Sequence, residues 1–152
     1  MALDLFRHRH RILTRFSETD MQGVIFNARY LDYADLAVSV YWAAVGLKLA
    51  GEDMVHFHVA HASVDFRKLI RPYEYIELCS RTGRIGISSV TTLIELRGED
   101  PVDGVDLRAE IKLVYAHVDI ETHRSCPHPA HVRALLEAFD GREDVVLSGE
   151  RN

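Results

Sequence analysis

FSETDMQGVIFNARYLDYADL, residues 16–36, is a polar loop that leads directly into a long apolar segment. The loop carries two acids, Glu18 and Asp20, and then Gly23, while Asn27 stands just before the apolar residues. A loop needs polar residues and a glycine in order to turn, but it does not need a carboxylate just ahead of a helix. We therefore take Asp20 as the first candidate functional residue and interpret Glu18 as a surface acid at the end of a strand.

The residues that follow the loop are predicted to form a helix over residues 28–46. Apolar side chains recur there at helical spacing on two faces, and a helix that is apolar over most of its circumference is usually buried. Asn27 is a good candidate for the N-cap of this helix, and Gly46 is a plausible stop at its C-terminus.

The rest of the chain is predicted to be mostly extended. Alternating or β-branched stretches indicate strands at residues 8–16, 59–69, 75–86, 87–98 and 106–119, and a second helix is predicted at residues 128–139. This order predicts a single α+β domain over residues 1–139, with a mobile tail at residues 140–152. One sheet leaves part of the long helix and its own edges uncovered, so we expect the chain to pair with a second copy.

Composition excludes several classes of protein. The 152 residues have a net charge of −5, which argues against a nucleic-acid partner. Cys79 and Cys126 lie in no paired spacing, so we expect reduced thiols and a cytoplasmic location. The longest apolar run, residues 36–47, is too short to cross a membrane, and the first residues do not resemble a signal peptide.

The loop and helix together carry a family resemblance. The motif Asp20-x-x-Gly23-x-x-x-Asn27-x-x-Tyr30 resembles the active-site loop of hotdog-fold acyl-CoA thioesterases, and most closely that of the 4-hydroxybenzoyl-CoA thioesterase-like group. Two further stretches are similar to that group: VDFRKLIRPYEYIEL at residues 64–78 and RIGISSVTTLIEL at residues 84–96. The resemblance covers roughly residues 8–139.

The resemblance implies a fold and an activity. The fold is an antiparallel five-stranded sheet wrapped around a long central helix, with a short C-terminal helix. The activity is hydrolysis of an acyl-CoA thioester to CoA and a carboxylic acid. The resemblance also implies a homo-oligomer, either a dimer or a dimer of dimers (a homotetramer), with active sites at the subunit boundary. It implies no metal and no redox cofactor, since CoA is part of the substrate.

The same resemblance assigns the catalytic roles. Asp20 attacks the carbonyl as a nucleophile or orients a water as general base, and the sequence leaves both options open. The backbone N–H of Asn27, at the start of the helix, polarises the carbonyl as part of an oxyanion hole. Gly23 lets the loop turn tightly. Ser89 is the candidate hydroxyl that a neighbouring subunit contributes.

Substrate-binding residues are expected around this centre. Phe26 and Tyr30 are candidates for lining the acyl pocket. Arg67, Lys68 and Arg84 are candidates for holding the phosphates of CoA, because basic side chains bind phosphate through charge-assisted hydrogen bonds. The acyl group itself is left open.

Other functions are weaker alternatives. The histidine-rich stretches HFHVAH (56–61) and CPHPAH (126–131) lack a clear fourth ligand, so we predict no native metal site. A hotdog dehydratase would carry a catalytic histidine near the helix, where this chain reads GVIFNAR. A non-catalytic protein that binds acyl-CoA or an acyl carrier remains the main alternative.

Overall fold

The computed structural model describes residues 4–101 and 104–141 and shows an α+β fold. Its strands and α-helices, in chain order, are β1 (His8–Leu13), α1 (Arg29–Val45), β2 (Phe57–Phe66), β3 (Tyr75–Ile85), β4 (Ser89–Gly98), β5 (Asp106–His117) and α2 (Ala130–Asp140), and a 3-10 turn at Phe16–Glu18 follows β1. The five strands form one sheet in the order β1-β3-β4-β5-β2, and all neighbouring strands are antiparallel. The sheet bends around α1, as predicted for a hotdog fold.

Helix α1 is held by apolar and aromatic residues on one side. The residues of α1 that are buried against the sheet are Tyr30, Tyr33, Ala34, Ala37, Val38, Tyr41, Trp42 and Val45. Fully burying a large apolar side chain contributes about 1.5–3 kcal/mol, so this face dominates the stability of the helix. The opposite side carries Leu31 and Leu36, which stay 43% and 38% exposed, so α1 is not buried all round. Gly46 ends the helix at φ 105°, which confirms the predicted stop.

The predicted strands are confirmed, with ends shifted by a few residues. β1 ends at Leu13 and not at Phe16, because Thr14 leaves the ladder and bonds to the β2–β3 connection. The Thr14 hydroxyl donates to the carbonyl oxygen of Arg71 at 2.6 Å, and its N–H donates to that of Glu74 at 2.9 Å. This contact ties the chain that enters the loop to the chain that enters β3. In the described part of the chain, no helix combines the length and apolarity needed to span a membrane.

Helix α2 is fastened to the core by a buried carboxylate. Asp140, the last residue of α2, is fully buried; it accepts hydrogen bonds from the hydroxyl of Tyr41 and, at 2.8 Å, from the backbone N–H of Thr82. Burial raises the pKa of the Asp140 carboxyl above its ordinary value, against the effect of these hydrogen bonds. Asp140 therefore belongs to α2 and not to the predicted tail of residues 140–152, of which residues 142–152 lie outside the described residues.

This burial predicts a pH-dependent stability. An acid whose pKa is raised by folding binds its proton more tightly in the folded state. Its ionisation therefore lowers the free energy of unfolding as the pH rises above the ordinary value of 3.8. Asp140→Asn keeps an acceptor oxygen and cannot ionise. We expect the stability of this variant, relative to wild type, to increase as the pH rises above 3.8. Urea denaturation at several pH values measures the difference.

The matched control is Asp32→Asn, which neutralises an exposed acid on α1. The stability of this variant relative to wild type should show no comparable change with pH. If the difference in the free energy of unfolding between wild type and Asp140→Asn stays constant across the pH range, ionisation of Asp140 is not linked to folding.

Candidate active site

The loop between β1 and α1 is a tight hairpin. Thr19 pairs with Ile25 in an antiparallel bridge, and inside it the N–H of Asp20 donates to the carbonyl oxygen of Val24 at 2.9 Å. The N–H of Gly23 returns to the carbonyl oxygen of Asp20 at 3.1 Å. Gly23 has φ +75°, a conformation that other residues adopt with strain, so a glycine is needed at this tip. The hairpin fixes the backbone position of Asp20.

The Asp20 carboxylate is bonded on one side and open on the other. Its Oδ1 accepts a hydrogen bond from the N–H of Gln22 at 2.8 Å, while Oδ2 makes no hydrogen bond to any described residue. The side chain is partly exposed. One oxygen therefore orients the group, and the other is available to a water molecule or a substrate.

Helix α1 begins one residue later than predicted, at Arg29. The N–H groups of Arg29 and Tyr30 donate to the carbonyl oxygens of Phe26 and Asn27, at 2.9 and 3.2 Å. Ala28, and not Asn27, precedes the first helical residue, and no side chain caps the helix, so the predicted N-cap at Asn27 is wrong. The physical reason is that backbone turns over residues 26–30 already lead the chain into the helix.

This helix start leaves backbone donors open. The N–H groups of Asn27 and Ala28 bond to no acceptor among the described residues. They lie at the end of α1 where the helix dipole is positive, and such groups attract negative charge. The structure thus agrees with a carbonyl-polarising role for the Asn27 N–H, which stays a prediction.

A groove opens beside this helix start. It has a volume of 430 Å³ and is lined by Ile25, Asn27, Tyr30, Phe66, Arg67, Lys68 and Leu69. The structure therefore brings four predicted residues together: Asn27, Tyr30, Arg67 and Lys68. The ring of Tyr30 is buried and packs edge-on against Phe66, with the ring centroids 4.8 Å apart. Phe26 is half exposed and lies outside the groove lining.

Two of the predicted phosphate ligands are already engaged. Arg67 forms an ion pair with Glu110, with Nε 2.8 Å from Oε2, and Lys68 forms one with Asp106, with Nζ 3.3 Å from Oδ1. These acids offset part of the positive charge beside the groove. Arg67 and Lys68 are therefore less available to phosphate than the sequence suggests.

The other two predicted residues lie on the opposite face of the sheet. Successive side chains of a strand alternate between faces. Val90 of β4 is buried on the face that packs against α1, so Ser89 points to the other face. Arg84 pairs with Thr91, which shares that face with Ser89. Within one subunit, the structure brings Ser89 and Arg84 together but separates them from the Asp20 loop.

Glu18 has a role that the sequence did not reveal. It is buried, with 8% of its surface exposed, which corrects its interpretation as a surface acid. Its Oε1 accepts hydrogen bonds from the backbone N–H of Arg15 at 2.8 Å and from the hydroxyl of Tyr33 at 3.0 Å. Its backbone carbonyl oxygen accepts from the N–H of Phe26 at 2.9 Å. Glu18 thus joins the base of the Asp20 loop to helix α1.

The far wall of the groove is anchored by a buried guanidinium. Arg108 donates hydrogen bonds to the carboxylate of Glu74 and to that of Asp106 at 2.8–3.0 Å. It also donates to the carbonyl oxygen of Leu69 at 2.9 Å. Arg108 lowers the pKa of Asp106 to about 2 and also lowers that of Glu74. The neighbouring Ile70 accepts a hydrogen bond from the N–H of Ile25 at 2.8 Å, so this wall is tied directly to the loop.

The histidines do not converge as a metal site. His56 lies before β2 with its ring 6.4 Å from that of His117, whereas the ring of His58 lies 6.4 Å from that of His123. Across residues 4–101 and 104–141, no three His, Cys, Asp or Glu side chains are grouped to hold a metal ion.

The contacts of Glu18 predict its effect on stability. Glu18→Ala leaves the buried hydroxyl of Tyr33 without an acceptor, and an unsatisfied buried group costs about 1–3 kcal/mol. It also removes the acceptor of the Arg15 N–H. We expect a loss of that order in chemical denaturation. Tyr33→Phe removes the donor and leaves Glu18 bonded to Arg15, so its loss should be smaller. Equal stability of Glu18→Ala and wild type would contradict this role.

Comparison with known proteins identifies the family. The family model for the thioesterase-like superfamily matches residues 14–136. A search of curated proteins found no significant match. Two solved structures share about a quarter of their sequence with this chain. A Thermus thermophilus thioesterase, crystallised with coenzyme A and zinc, is 26% identical at TM-score 0.78, over 92% of this chain and 99% of its own. A Pseudomonas aeruginosa protein is 27% identical at TM-score 0.75, over 89% and 92% of the two chains.

More distant structures share the fold. One is a 1,4-dihydroxy-2-naphthoyl-CoA thioesterase from Synechocystis, which is 13% identical at TM-score 0.75 and covers 87% of this chain and 96% of its own. The family match spans the Asp20 loop, both faces of the sheet and most of α2. The chain therefore belongs to the thioesterase-like superfamily and is a hotdog-fold thioester hydrolase.

Proposed function

We propose that this protein is an acyl-CoA thioesterase that acts through Asp20 and the backbone donors at the start of α1. The observation that carries the proposal is that one loop and the helix start after it hold both candidate catalytic groups. Asp20 has an open carboxylate oxygen, the N–H groups of Asn27 and Ala28 are unbonded among the described residues, and Ile25 and Asn27, but not Asp20, line the groove. The Thermus thermophilus relative, whose crystal contains coenzyme A, supports the substrate class.

The chemistry requires two contributions. An oxygen atom must add to the thioester carbonyl, and the negative charge that develops on the carbonyl oxygen must be stabilised. Asp20 supplies the first, as a nucleophile that forms a mixed anhydride or as a base that activates water. The N–H groups of Asn27 and Ala28 supply the second, since preorganised donors at a helix start stabilise an oxyanion. The carbon–sulfur bond then breaks, and CoA leaves as a thiolate that takes up a proton. On the nucleophile route, water then hydrolyses the mixed anhydride, which releases the carboxylic acid and restores the Asp20 carboxylate.

No resident metal or redox cofactor is needed for this scheme, because the carboxylate and the backbone donors provide both contributions. We therefore expect dialysis against a chelator to leave turnover unchanged. The free thiols Cys79 and Cys126 agree with the proposed cytoplasmic location.

Neutralising Asp20 tests the proposal. Asp20→Asn keeps the oxygen that accepts from the N–H of Gln22 and removes the charge, so the loop should fold normally. We expect kcat/KM for acyl-CoA hydrolysis to fall by at least about 100-fold, the scale of losing an acid–base or nucleophilic group. Release of free CoA thiol from short, long and aromatic acyl-CoAs measures the effect.

Asp119→Asn is a matched control. Asp119 sits in a turn of the same kind, where its Oδ1 accepts from the N–H groups of Glu121 and Thr122 at 2.9 and 3.0 Å, but it lies in the connection between β5 and α2. This variant should keep wild-type activity. Equal activity in Asp20→Asn and wild type would remove Asp20 from the mechanism. Binding of acyl-CoA without any turnover in wild type would favour the alternative, a non-catalytic binding protein.

We further propose that the protein is a homodimer, or a dimer of dimers, built on β2. This strand is one of the two edges of the sheet, β1 being the other, and its outer backbone groups have no partner strand among the described residues. Apolar side chains on β2 are open as well: Val59 and Phe66 are 55% and 52% exposed. An exposed edge with apolar side chains is a template for pairing, and a second copy satisfies it by antiparallel pairing about a twofold axis.

A charge on β2 should disrupt this pairing. Val59→Lys places a cation on the exposed edge, and we expect a smaller species than wild type in light scattering coupled to size-exclusion chromatography. Ile120→Lys is the control, because Ile120 is also 55% exposed but lies in the connection between β5 and α2. An oligomer in Ile120→Lys and a monomer in Val59→Lys would support the interface. The same mass for both variants would place the interface elsewhere.

A further inference from the structure

A thiol and an imidazole form a pair at the end of β5, and the proposed hydrolysis uses neither of them. The Sγ of Cys126 lies 3.4 Å from the Nδ1 of His117, so the thiol and the ring are in hydrogen-bond contact. The backbone holds the same two residues together, because the N–H of Cys126 donates to the carbonyl oxygen of His117 at 2.8 Å. The fold therefore fixes the approach of the two side chains.

A hairpin after β5 sets this geometry and leaves the thiol accessible. Val118 and Ser125 form an antiparallel bridge, and the residues between them, 119–124, are all exposed. His117, on one side of the hairpin base, is only 8% exposed, whereas Cys126, on the other side, is partly exposed. A reagent in solution can therefore reach the thiol, while the imidazole beside it is shielded.

The surroundings of His117 suit it to accept a proton. Burial lowers the pKa of the ring below its ordinary value; the backbone of Cys126 opposes this effect, and the neighbouring His128 and His56 add to it. The ring is therefore uncharged at neutral pH and has a nitrogen that can take up a proton. Phe57 packs edge-on against the ring, with the two centroids 5.1 Å apart, which holds the ring in place.

A cavity opens on the same histidine. It has a volume of 580 Å³, within the range of small-molecule sites. Besides His117, its polar lining side chains are Lys48, Asp53, His56 and His131. Cys126 does not line the cavity itself but contacts the ring that does. The cavity therefore offers space beside the pair for the part of a small molecule that does not react.

The second cysteine differs in both accessibility and surroundings. Cys79 is fully buried, and burial raises the pKa of its thiol to about 12. Its Sγ lies 3.6 Å from the Oε1 of Glu77, and a carboxylate beside a thiol disfavours the thiolate. The thiolate is the form that reacts, so Cys79 is an unreactive thiol within the same chain. It serves as an internal control for Cys126.

We propose that Cys126 is a reactive thiol that exchanges with disulfides of small molecules, and that His117 is the base that takes its proton. The Cys126 sulfur attacks one sulfur of the disulfide as its proton passes to His117. A new sulfur–sulfur bond forms, the old one breaks, and the leaving thiolate takes the proton from His117. Cys126 is oxidised to a mixed disulfide, and half of the reagent is reduced to a thiol. A small thiol reverses the reaction.

The rate of modification in the folded wild-type protein tests the proposal. The full chain is incubated with oxidised glutathione at pH 7, and mass spectrometry of its peptides measures the mixed disulfide on each cysteine. The reference is the same chain in urea, where neither thiol has a fixed neighbour. An ordinary thiol is only a few per cent ionised at this pH, so a base can raise its rate by about tenfold or more.

We expect Cys126 to react about tenfold or more faster in the folded protein than in urea. Cys79 should react only in urea. A rate for Cys126 in the folded protein that equals or falls below its rate in urea would overturn the proposal.

Variants of two histidines test the role of the base. His117→Asn keeps an acceptor oxygen close to the position of Nδ1 but cannot take up a proton, so we expect the Cys126 rate to fall by about tenfold. His131→Asn is the matched control, because His131 lines the same cavity, and this variant should react like wild type. Equal rates in His117→Asn and wild type would overturn the role of His117.

The proposal is independent of the proposed hydrolysis. Cys126→Ser should lose modification by oxidised glutathione while it hydrolyses acyl-CoA like wild type. Absence of hydrolysis in wild type would contradict the proposed function and would leave the measured rate of Cys126 unaffected. Persistent modification of Cys126→Ser in the folded state would place the reactive thiol at Cys79 and overturn the assignment.

Discussion

Burial of one face of α1 against the sheet is the constraint on which the rest of the structure depends. The buried aromatic residues Tyr30, Tyr41 and Trp42 lie along the helix, so its position over the sheet is fixed from one end to the other. A helix of 17 residues is about 25 Å long, and its N-terminus therefore falls near one end of the strands. That end is where β1 stops and β3 begins, and the Asp20 loop connects β1 to α1 there. The location of the candidate site follows from the packing of this helix.

Buried charged groups differ in their hydrogen bonding at the two ends of the sheet. Near the loop, Glu18 and Arg108 are buried, and each has hydrogen-bond partners that satisfy it. A buried ion without such partners costs several kcal/mol, so these contacts hold the surrounding backbone in one arrangement. At the other end, the Nε of Arg84 is buried without a hydrogen-bond partner among the described residues. The buried charges of the loop region are thus satisfied by hydrogen bonds, whereas that of Arg84 is not.

Elements with a clear hydrophobic period were predictable from sequence. The long helix, the five strands and the stop at Gly46 all follow from local patterns. The burial of Glu18 was not predictable in this way, because its partner Tyr33 lies on a different element and nothing local links the two side chains. The predicted N-cap at Asn27 is wrong because backbone turns over residues 26–30 lead the chain into the helix. Alternation along β4 predicts the face of the sheet to which Ser89 points. The face to which Arg84 points depends on a β-bulge in β3 between Thr82 and Arg84, and Gly83 is the only signal of that bulge in the sequence.

The hydrogen bond between Tyr41 and Asp140 has a consequence for how the protein reaches its folded state. The two residues are 99 positions apart, and β1 likewise pairs with β3 across the whole of α1 and β2. A fold dominated by such distant contacts has a high contact order and folds slowly. During synthesis, α1 emerges with its aromatic face uncovered and must wait for β3 to leave the ribosome. The nascent chain therefore exposes the apolar face of α1 until β3 has been synthesised. Exposed apolar surface of this kind promotes aggregation and is what chaperones bind.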